Sequence, residues 1–300
     1  MAADLPGRRD YPRLIRYSPA VLRCSAAALA LGLVPVAASA AELWKTLPEP
    51  AARPDPKDEG RVEVGGASIY YAIFGSGPPV ILLHGGFGSG EDWGSEIPTL
   101  TGRVRVIAID SRGQGRSTRG SAPLSYGTMA GDVIAVMDHL GIGQAAIIGW
   151  SDGAIVGLHL AIHQPDRVER LFAFAANFDG SASVPGGSKS ATFKTYFARA
   201  RRRYEAISGT PAEADKTQDA LRKMWAKEPR YKAAELGKIR ALTWIVDGER
   251  DEIISAAHTK ALAAKIKGSK LLILPGLSHF ALWQDPEVFG QAMLDFLSAP

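Results

Sequence analysis

The sequence predicts an α/β protein: a mostly parallel, doubly wound sheet with a helical cap inserted late in the chain. Three observations predict it. Continuous apolar runs alternate with helix-period stretches, the order that winds a parallel sheet with helices on both faces. The pentapeptide Gly149-Trp150-Ser151-Asp152-Gly153 follows one such run and precedes a helical stretch at 154–163, so a strand, a tight turn and a helix meet at Ser151. One segment, about 179–238, breaks the alternation: it opens with Gly, Ser and Pro, then turns helical and charged, as an insertion over the sheet edge would.

Each element follows in order. Residues 1–40 place Arg8, Arg9, Arg13, Arg16 and Arg23 before an apolar segment at 25–36 and end in Ala37-Ala38-Ser39-Ala40. A basic start, a short apolar stretch and an Ala-x-Ala end describe a secretory signal peptide, so the expected protein is exported to the periplasm or medium. The stretch 41–60, with Pro48, Pro50, Pro54 and Pro56, reads as a linker. A domain is expected over 61–300. It opens with a hairpin, 61–65 and 68–74, turned at Gly65-Gly66. Val80-Ile81-Leu82-Leu83 and the run 104–109 are continuous apolar strands, as expected of a sheet covered on both faces. Met129, Val133, Val136, Met137 and Leu140 share one helical face, which Gly141 ends. Further strands are expected at 145–150, 170–176, 242–246 and 270–274.

Composition narrows the function. The chain of 300 residues is 46% hydrophobic and 22% charged, a globular balance. Its net charge of +4 is concentrated at the start: without residues 1–40, 30 basic residues face 29 acidic ones. A near-neutral body gives no electrostatic case for nucleic acid, and the run Arg199 to Arg203 reads as a solvated cap face. Cys24 is the only cysteine and lies in the segment expected to be removed, which excludes a disulfide framework and a thiol nucleophile in the mature chain. The apolar segment is too short to span a bilayer comfortably, so no stable membrane span is expected after processing.

The chemistry centres on Ser151. A serine hydroxyl needs a base within hydrogen-bond reach, a group to orient that base, and donors for the oxyanion. The orienting acid is sought at a strand end after the nucleophile, where Asp247-Gly248-Glu249-Arg250-Asp251 offers three carboxylates. Asp251 follows the turn at Gly248 and is placed to reach back; Asp247 reads as a strand-end residue. The base is expected at His279, in the loop after the last strand. His84, His139, His159, His163 and His258 fit worse. His159 and His163 are four apart, but Leu160 stands where a metalloprotease helix needs glutamate, so no metal is expected. The backbone N–H of Asp152, at a helix start, is one expected oxyanion donor. The other is expected from His84-Gly85-Gly86-Phe87-Gly88, with Gly86 first and Phe87 second. Phe87, Trp150, Asp152 and Trp225 are the expected substrate contacts. No phosphate-cradling glycine motif is present and no cofactor is expected.

These pieces resemble a known family. His84-Gly85-Gly86, Asp110-Ser111-Arg112-Gly113-Gln114-Gly115-Arg116-Ser117, the pentapeptide at 149–153, Gly248-Glu249-Arg250-Asp251 and Gly276-Leu277-Ser278-His279 occur in the order found in the α/β-hydrolase superfamily, over about 61–297. The resemblance implies the α/β-hydrolase fold, a Ser151–His279–Asp251 triad, Gly86 and Asp152 as oxyanion donors, and a cap that shapes the pocket. The elbow is also similar to that of valacyclovir hydrolase-type (biphenyl hydrolase-like) esterases, in which the aspartate after the serine helps recognise a substrate amino group. Asp152 matches that position, while Ala154 departs from the glycine usual there. A plain helix N-terminal acid is the other role open to Asp152.

The expected activity is hydrolysis of small-molecule carboxylic esters through an acyl-enzyme. A lactone, or an aminoacyl ester or amide, is the alternative substrate for the same triad, since fold does not separate these. Non-hydrolytic lysis or perhydrolysis, and a vestigial binding protein, are the alternatives of another class. A serine at 151 disfavours a haloalkane dehalogenase, which needs a carboxylate there.

Overall fold

The computed structural model describes residues 42–300; the expected signal peptide lies outside the described residues. Eight strands form one sheet: β1 Asp58–Val64, β2 Ala67–Gly75, β3 Pro79–Leu83, β4 Arg105–Ile109, β5 Ala145–Trp150, β6 Val168–Phe174, β7 Leu242–Gly248 and β8 Lys270–Leu274. Their spatial order is β1-β2-β4-β3-β5-β6-β7-β8. β2 runs antiparallel to both β1 and β4, and every later pairing is parallel. The hairpin turns on Gly65 and Gly66, with φ of 55° and 73°, the positive-φ pair that a two-residue hairpin matched to strand twist requires.

The helices are α1 Glu96–Thr101, α2 Tyr126–His139, α3 Asp152–His163, α4 Ala191–Ile207, α5 Ala214–Trp225, α6 Ala233–Leu236, α7 Ala256–Lys265, α8 Ala281–Gln284 and α9 Pro286–Ser298. Ser125, Ser190 and Ser255 begin α2, α4 and α7 by accepting the N–H three residues on, which satisfies one of the orphan donors at a helix start. Helices cover both faces of the sheet, so every residue of β3 and β5 is buried, and the apolar runs show no alternation.

Topology fixes where a ligand site belongs. From β3 the chain crosses to β4 on one side, then returns to β5 on the other. The loops after β3 and β5 therefore part in opposite directions and leave a crevice at the carboxyl ends of the strands, the usual ligand position in such sheets. Between β6 and β7 the chain leaves the sheet to build α4, α5 and α6 above that crevice.

Two sequence expectations change. Arg199 and Arg203, read as part of a solvated face, turn toward the body. Arg199 is buried; its guanidinium donates to the carbonyls of Pro48 and Leu47 at 2.7 and 2.9 Å and lies over the Trp283 ring. Arg203 pairs with the buried Asp92. A charge run read without its partners cannot reveal which members face inward. The stretch expected as a linker is laid against the protein. Gln284 donates to the Thr46 carbonyl, and β1 begins at Asp58, inside that stretch.

Candidate active site

Ser151 sits between β5 and α3 with φ 53° and ψ −117°, a conformation that a residue carrying a Cβ rarely adopts. The flanking glycines make it possible. A Cβ at Gly149 would lie 2.4 Å from the Gly153 carbonyl oxygen, and one at Gly153 would lie 2.1 Å from that of Leu83. Strand, turn and helix thus crowd at distances only glycine permits, and the serine hydroxyl is left facing the crevice.

His279 reaches this hydroxyl from the loop after β8. Its Nε2 is 3.1 Å from Ser151 Oγ and its Nδ1 is 2.7 Å from Asp251 Oδ2. A carboxylate accepts only, so Nδ1 carries the proton toward Asp251 and Nε2 is left free to accept from Ser151. The loop is pinned: Trp150 Nε1 donates to the His279 carbonyl at 2.9 Å. Asp251 is fixed by the N–H groups of Ile253 and Ile254, at 2.6 and 2.7 Å on Oδ1. Burial alone disfavours the charge on Asp251, but the His279 charge and hydrogen bond, with those backbone donors, hold its carboxyl below the usual range. Burial likewise opposes charge on His279. The Asp251 charge and hydrogen bond outweigh it and set the imidazole above its ordinary value.

Asp247 stays on β7, buried, where it accepts from the Gly248 N–H and the Thr259 hydroxyl. Burial and the neighbouring Asp251 charge push its carboxyl well above the usual range. The two aspartates therefore divide roles: Asp251 is the partner of His279, its carboxyl held low, while Asp247 stands behind it with its carboxyl pushed high.

Gly86 and Asp152 both line a cavity of about 220 Å³ that opens beside Ser151 and His279. Asp152 N–H belongs to the first turn of α3, where backbone donors have no intrahelical partner. Phe87 does not fit its expected parts. Its N–H is taken by the Gln114 side-chain carbonyl. Its ring is buried against the rings of Phe197 and Tyr204, at 6.4 and 5.4 Å between centroids, and it is not among the residues lining the cavity. The reason is φ 62° at Phe87, which turns the side chain away from the crevice and into the cap.

Trp150, Asp152 and Trp225 do line the cavity. The Asp152 carboxylate is buried and accepts from Tyr126 Oη at 2.8 Å and from Trp225 Nε1 at 3.0 and 2.8 Å. Both partners are neutral. Burial raises its carboxyl above the usual range, and the Trp225 and Tyr126 hydrogen bonds only partly offset this. Tyr126 and Glu228 are site residues that sequence reasoning missed. Glu228 accepts the Tyr126 N–H at 3.0 Å and lines the same cavity. No motif marks either: Tyr126 lies on α2 and Glu228 in the cap, 102 residues apart in sequence, and they meet only in the folded chain.

The remaining histidines have other partners. His84 Nε2 accepts from the Ser111 N–H at 2.9 Å, and His159 Nδ1 is 3.0 Å from the Tyr231 hydroxyl. Asp110, in the 110–117 motif, accepts the Gly90 and Arg116 N–H groups and so ties the loops after β3 and β4 together. Among the described residues no three His, Cys, Asp or Glu side chains are grouped to hold a metal, and no helix is long and apolar enough to cross a membrane.

Comparison with known proteins agrees with this geometry. A sequence profile described as alpha/beta hydrolase fold matches residues 78–210. A protein of Azorhizobium caulinodans named as a carbamate hydrolase, RutD, is 39% identical over 107 residues, 36% of this chain and 40% of the relative's length. Human serine hydrolase BPHL is 27% identical over 250 residues, 79% of this chain and 85% of the relative. The solved structure of a meta-cleavage product hydrolase from Pseudomonas fluorescens superposes with a TM-score of 0.67 at 22% identity, over 79% of this chain and 96% of that one, a likeness of fold. With the matching profile, the similar hydrolases and the superposed structure beside its own sheet order, the chain has the α/β-hydrolase fold.

Proposed function

We propose that the protein is a serine hydrolase that cleaves carboxylic esters of small molecules through an acyl-enzyme. One observation carries the reading: the continuous hydrogen-bonded line from Ser151 Oγ through His279 to Asp251, at 3.1 and 2.7 Å, inside a covered cavity. In this mechanism Ser151 Oγ attacks the ester carbonyl carbon while His279 Nε2 takes the hydroxyl proton. Asp251 holds the imidazolium that forms. The carbonyl electron pair moves onto oxygen, where the N–H groups of Gly86 and Asp152 receive it. Collapse expels the alcohol, which leaves with the proton from His279. Water then repeats the sequence on the acyl-enzyme and frees the acid. Screening the purified protein on acyl esters, lactones and aminoacyl esters tests the substrate class. Ser151→Ala tests the mechanism, with a loss of many orders of magnitude expected. A variant that keeps most of its turnover would end the reading.

A second reading is favoured by one further observation. The residues lining the cavity include two carboxylates, Asp152 and Glu228, and neither Lys nor Arg. Such a lining attracts a substrate ammonium and repels a carboxylate, which favours esters that carry a free amine near the scissile bond. The cleavage chemistry is the same.

Export is proposed from the sequence pattern at 1–40. Expression in a secreting host should yield a mature N-terminus near Ala41 or Glu42.

A further inference from the structure

The Gly86–Phe87 peptide group is held at both ends. Its carbonyl accepts a hydrogen bond from the Tyr196 hydroxyl of α4 at 2.9 Å. Its N–H donates to the side-chain carbonyl of Gln114. One clamp comes from the cap and the other from the loop after β4. Both grip a stretch, Gly85-Gly86-Phe87-Gly88, whose glycines leave the backbone free to turn. Phe87 sits at φ 62°, which its Cβ disfavours, so the stretch holds this shape only where its surroundings impose it. Tyr196 is itself immobilised. Its ring is buried and packs against Trp150, Phe280 and Trp283, at 5.5, 5.4 and 5.8 Å between centroids. Burial pushes its phenol well above the usual range, so the hydroxyl remains a donor.

We infer that Tyr196 is a positioning residue for the oxyanion site, and that with Gln114 it locks the peptide next to the Gly86 N–H in the orientation the reaction needs. The inference rests on the proposal that Gly86 N–H receives the oxyanion. It gives the cap a second role beyond walling the cavity: the site is complete only while α4 is seated. Without the two clamps the glycine-rich stretch 85–88 is free to leave this shape and to carry the neighbouring Gly86 N–H with it, and small displacements of such donors carry large rate penalties.

The test uses Tyr196→Phe, which removes one oxygen and keeps the ring that packs, and Gln114→Leu, which removes the opposite clamp. For each, kcat and KM are measured on a good ester. Affinity is measured for a matched trifluoromethyl ketone, whose carbonyl carbon accepts Ser151 Oγ, leaving a tetrahedral oxyanion in the site and the proton on His279. Both variants should lose about 10- to 100-fold in kcat with KM within about twofold, and lose ketone affinity by a similar factor. Amide exchange of a peptide spanning 85–88 should quicken in both. A fall in kcat with unchanged ketone affinity, or no fall at all, overturns the inference. If Tyr196→Phe does not fold, Gln114→Leu carries the same expected pattern from the other end. Should the wild type cleave no ester and take no fluorophosphonate at Ser151, the serine-hydrolase reading fails, and the exchange comparison alone decides whether Tyr196 holds the loop.

Discussion

The Trp225 indole N–H donates to both carboxylate oxygens of Asp152, at 2.8 and 3.0 Å, and so joins the last turn of α5 in the cap to the first turn of α3 in the body. A hydrogen bond to a buried carboxylate is among the stronger kinds, because the alternative is a charge left short of donors. Trp225→Phe keeps an aromatic ring but removes the donor together with part of the indole's bulk. It should lower stability by about 1–3 kcal/mol, read as a shifted midpoint in chemical denaturation. A midpoint equal to wild type would mean that solvent already serves Asp152 and the cap gains nothing from this bond.

Two aspartates four residues apart should respond differently. Asp251→Asn replaces the acceptor of His279 Nδ1–H with a group that favours the wrong tautomer, and turnover should fall by about four orders of magnitude, as for the same change in other triads. Asp247→Asn exchanges a carboxyl whose ionisation burial and the Asp251 charge disfavour for a neutral group of the same shape. It should leave kcat within a few-fold and show mainly in stability. Steady-state kinetics on both variants, with thermal melts, separate the two. The reverse ranking would move the orienting role to Asp247.

These assignments differ in how far the sequence alone carried them. Gly149 and Gly153 announced the turn at Ser151 because no other residue fits against Leu83 and against each other. The parallel strands announced themselves because a sheet buried on both faces leaves unbroken apolar runs, as in β3 and β5. The approach of His279 and Asp251 to Ser151 followed from chain order at one sheet edge. What stayed hidden is what the cap does. Tyr196 and Glu228 reach Gly86 and Tyr126 from the cap by tertiary packing across 110 and 102 residues of chain, and no local pattern encodes such a meeting; Trp225 was expected in the cavity, but not its bond to Asp152. Arg199 and Arg203 were hidden for the same reason: their partners, Pro48 and Asp92, are distant in sequence.

The pH profile follows from His279. As the proposed base it acts neutral, and Asp251 with its hydrogen bond, then Glu252 and Asp152, hold its pKa above the ordinary 6.5 despite burial. Activity should therefore fall as pH drops through a value above 6.5, as a single-proton limb in kcat/KM. Stability runs the other way. A raised folded pKa contributes stability that is full below 6.5 and lost as pH rises through the folded value. Glu252→Gln should move the limb to lower pH, since it removes one of the charges that favour the imidazolium. A limb below 6.5 in the wild type would contradict this electrostatic balance.

Asp152 decides between the two substrate readings. In the proposed mechanism its backbone N–H serves the oxyanion whatever its side chain does, because that role needs no carboxylate. Its side chain lies in the cavity beside Ser151, buried, with two neutral donors and no cation. An ammonium placed there would gain a charge-assisted hydrogen bond and complete the pairing that Tyr126 and Trp225 leave unfinished. Asp152→Asn keeps size and backbone and removes the charge. If Asp152 reads an amine, the variant should lose kcat/KM on aminoacyl esters by about tenfold or more relative to matched neutral acyl esters, the scale of one such bond. It should also move the acidic limb of the pH profile downward on both substrates, because Asp152 is one of the charges that raise His279. Paired measurements on one aminoacyl and one acyl ester at fixed alcohol keep the leaving group out of the comparison. Equal losses on the two esters, with the limb still displaced, would leave Asp152 with an electrostatic role toward His279 alone and the simple carboxylesterase reading in place.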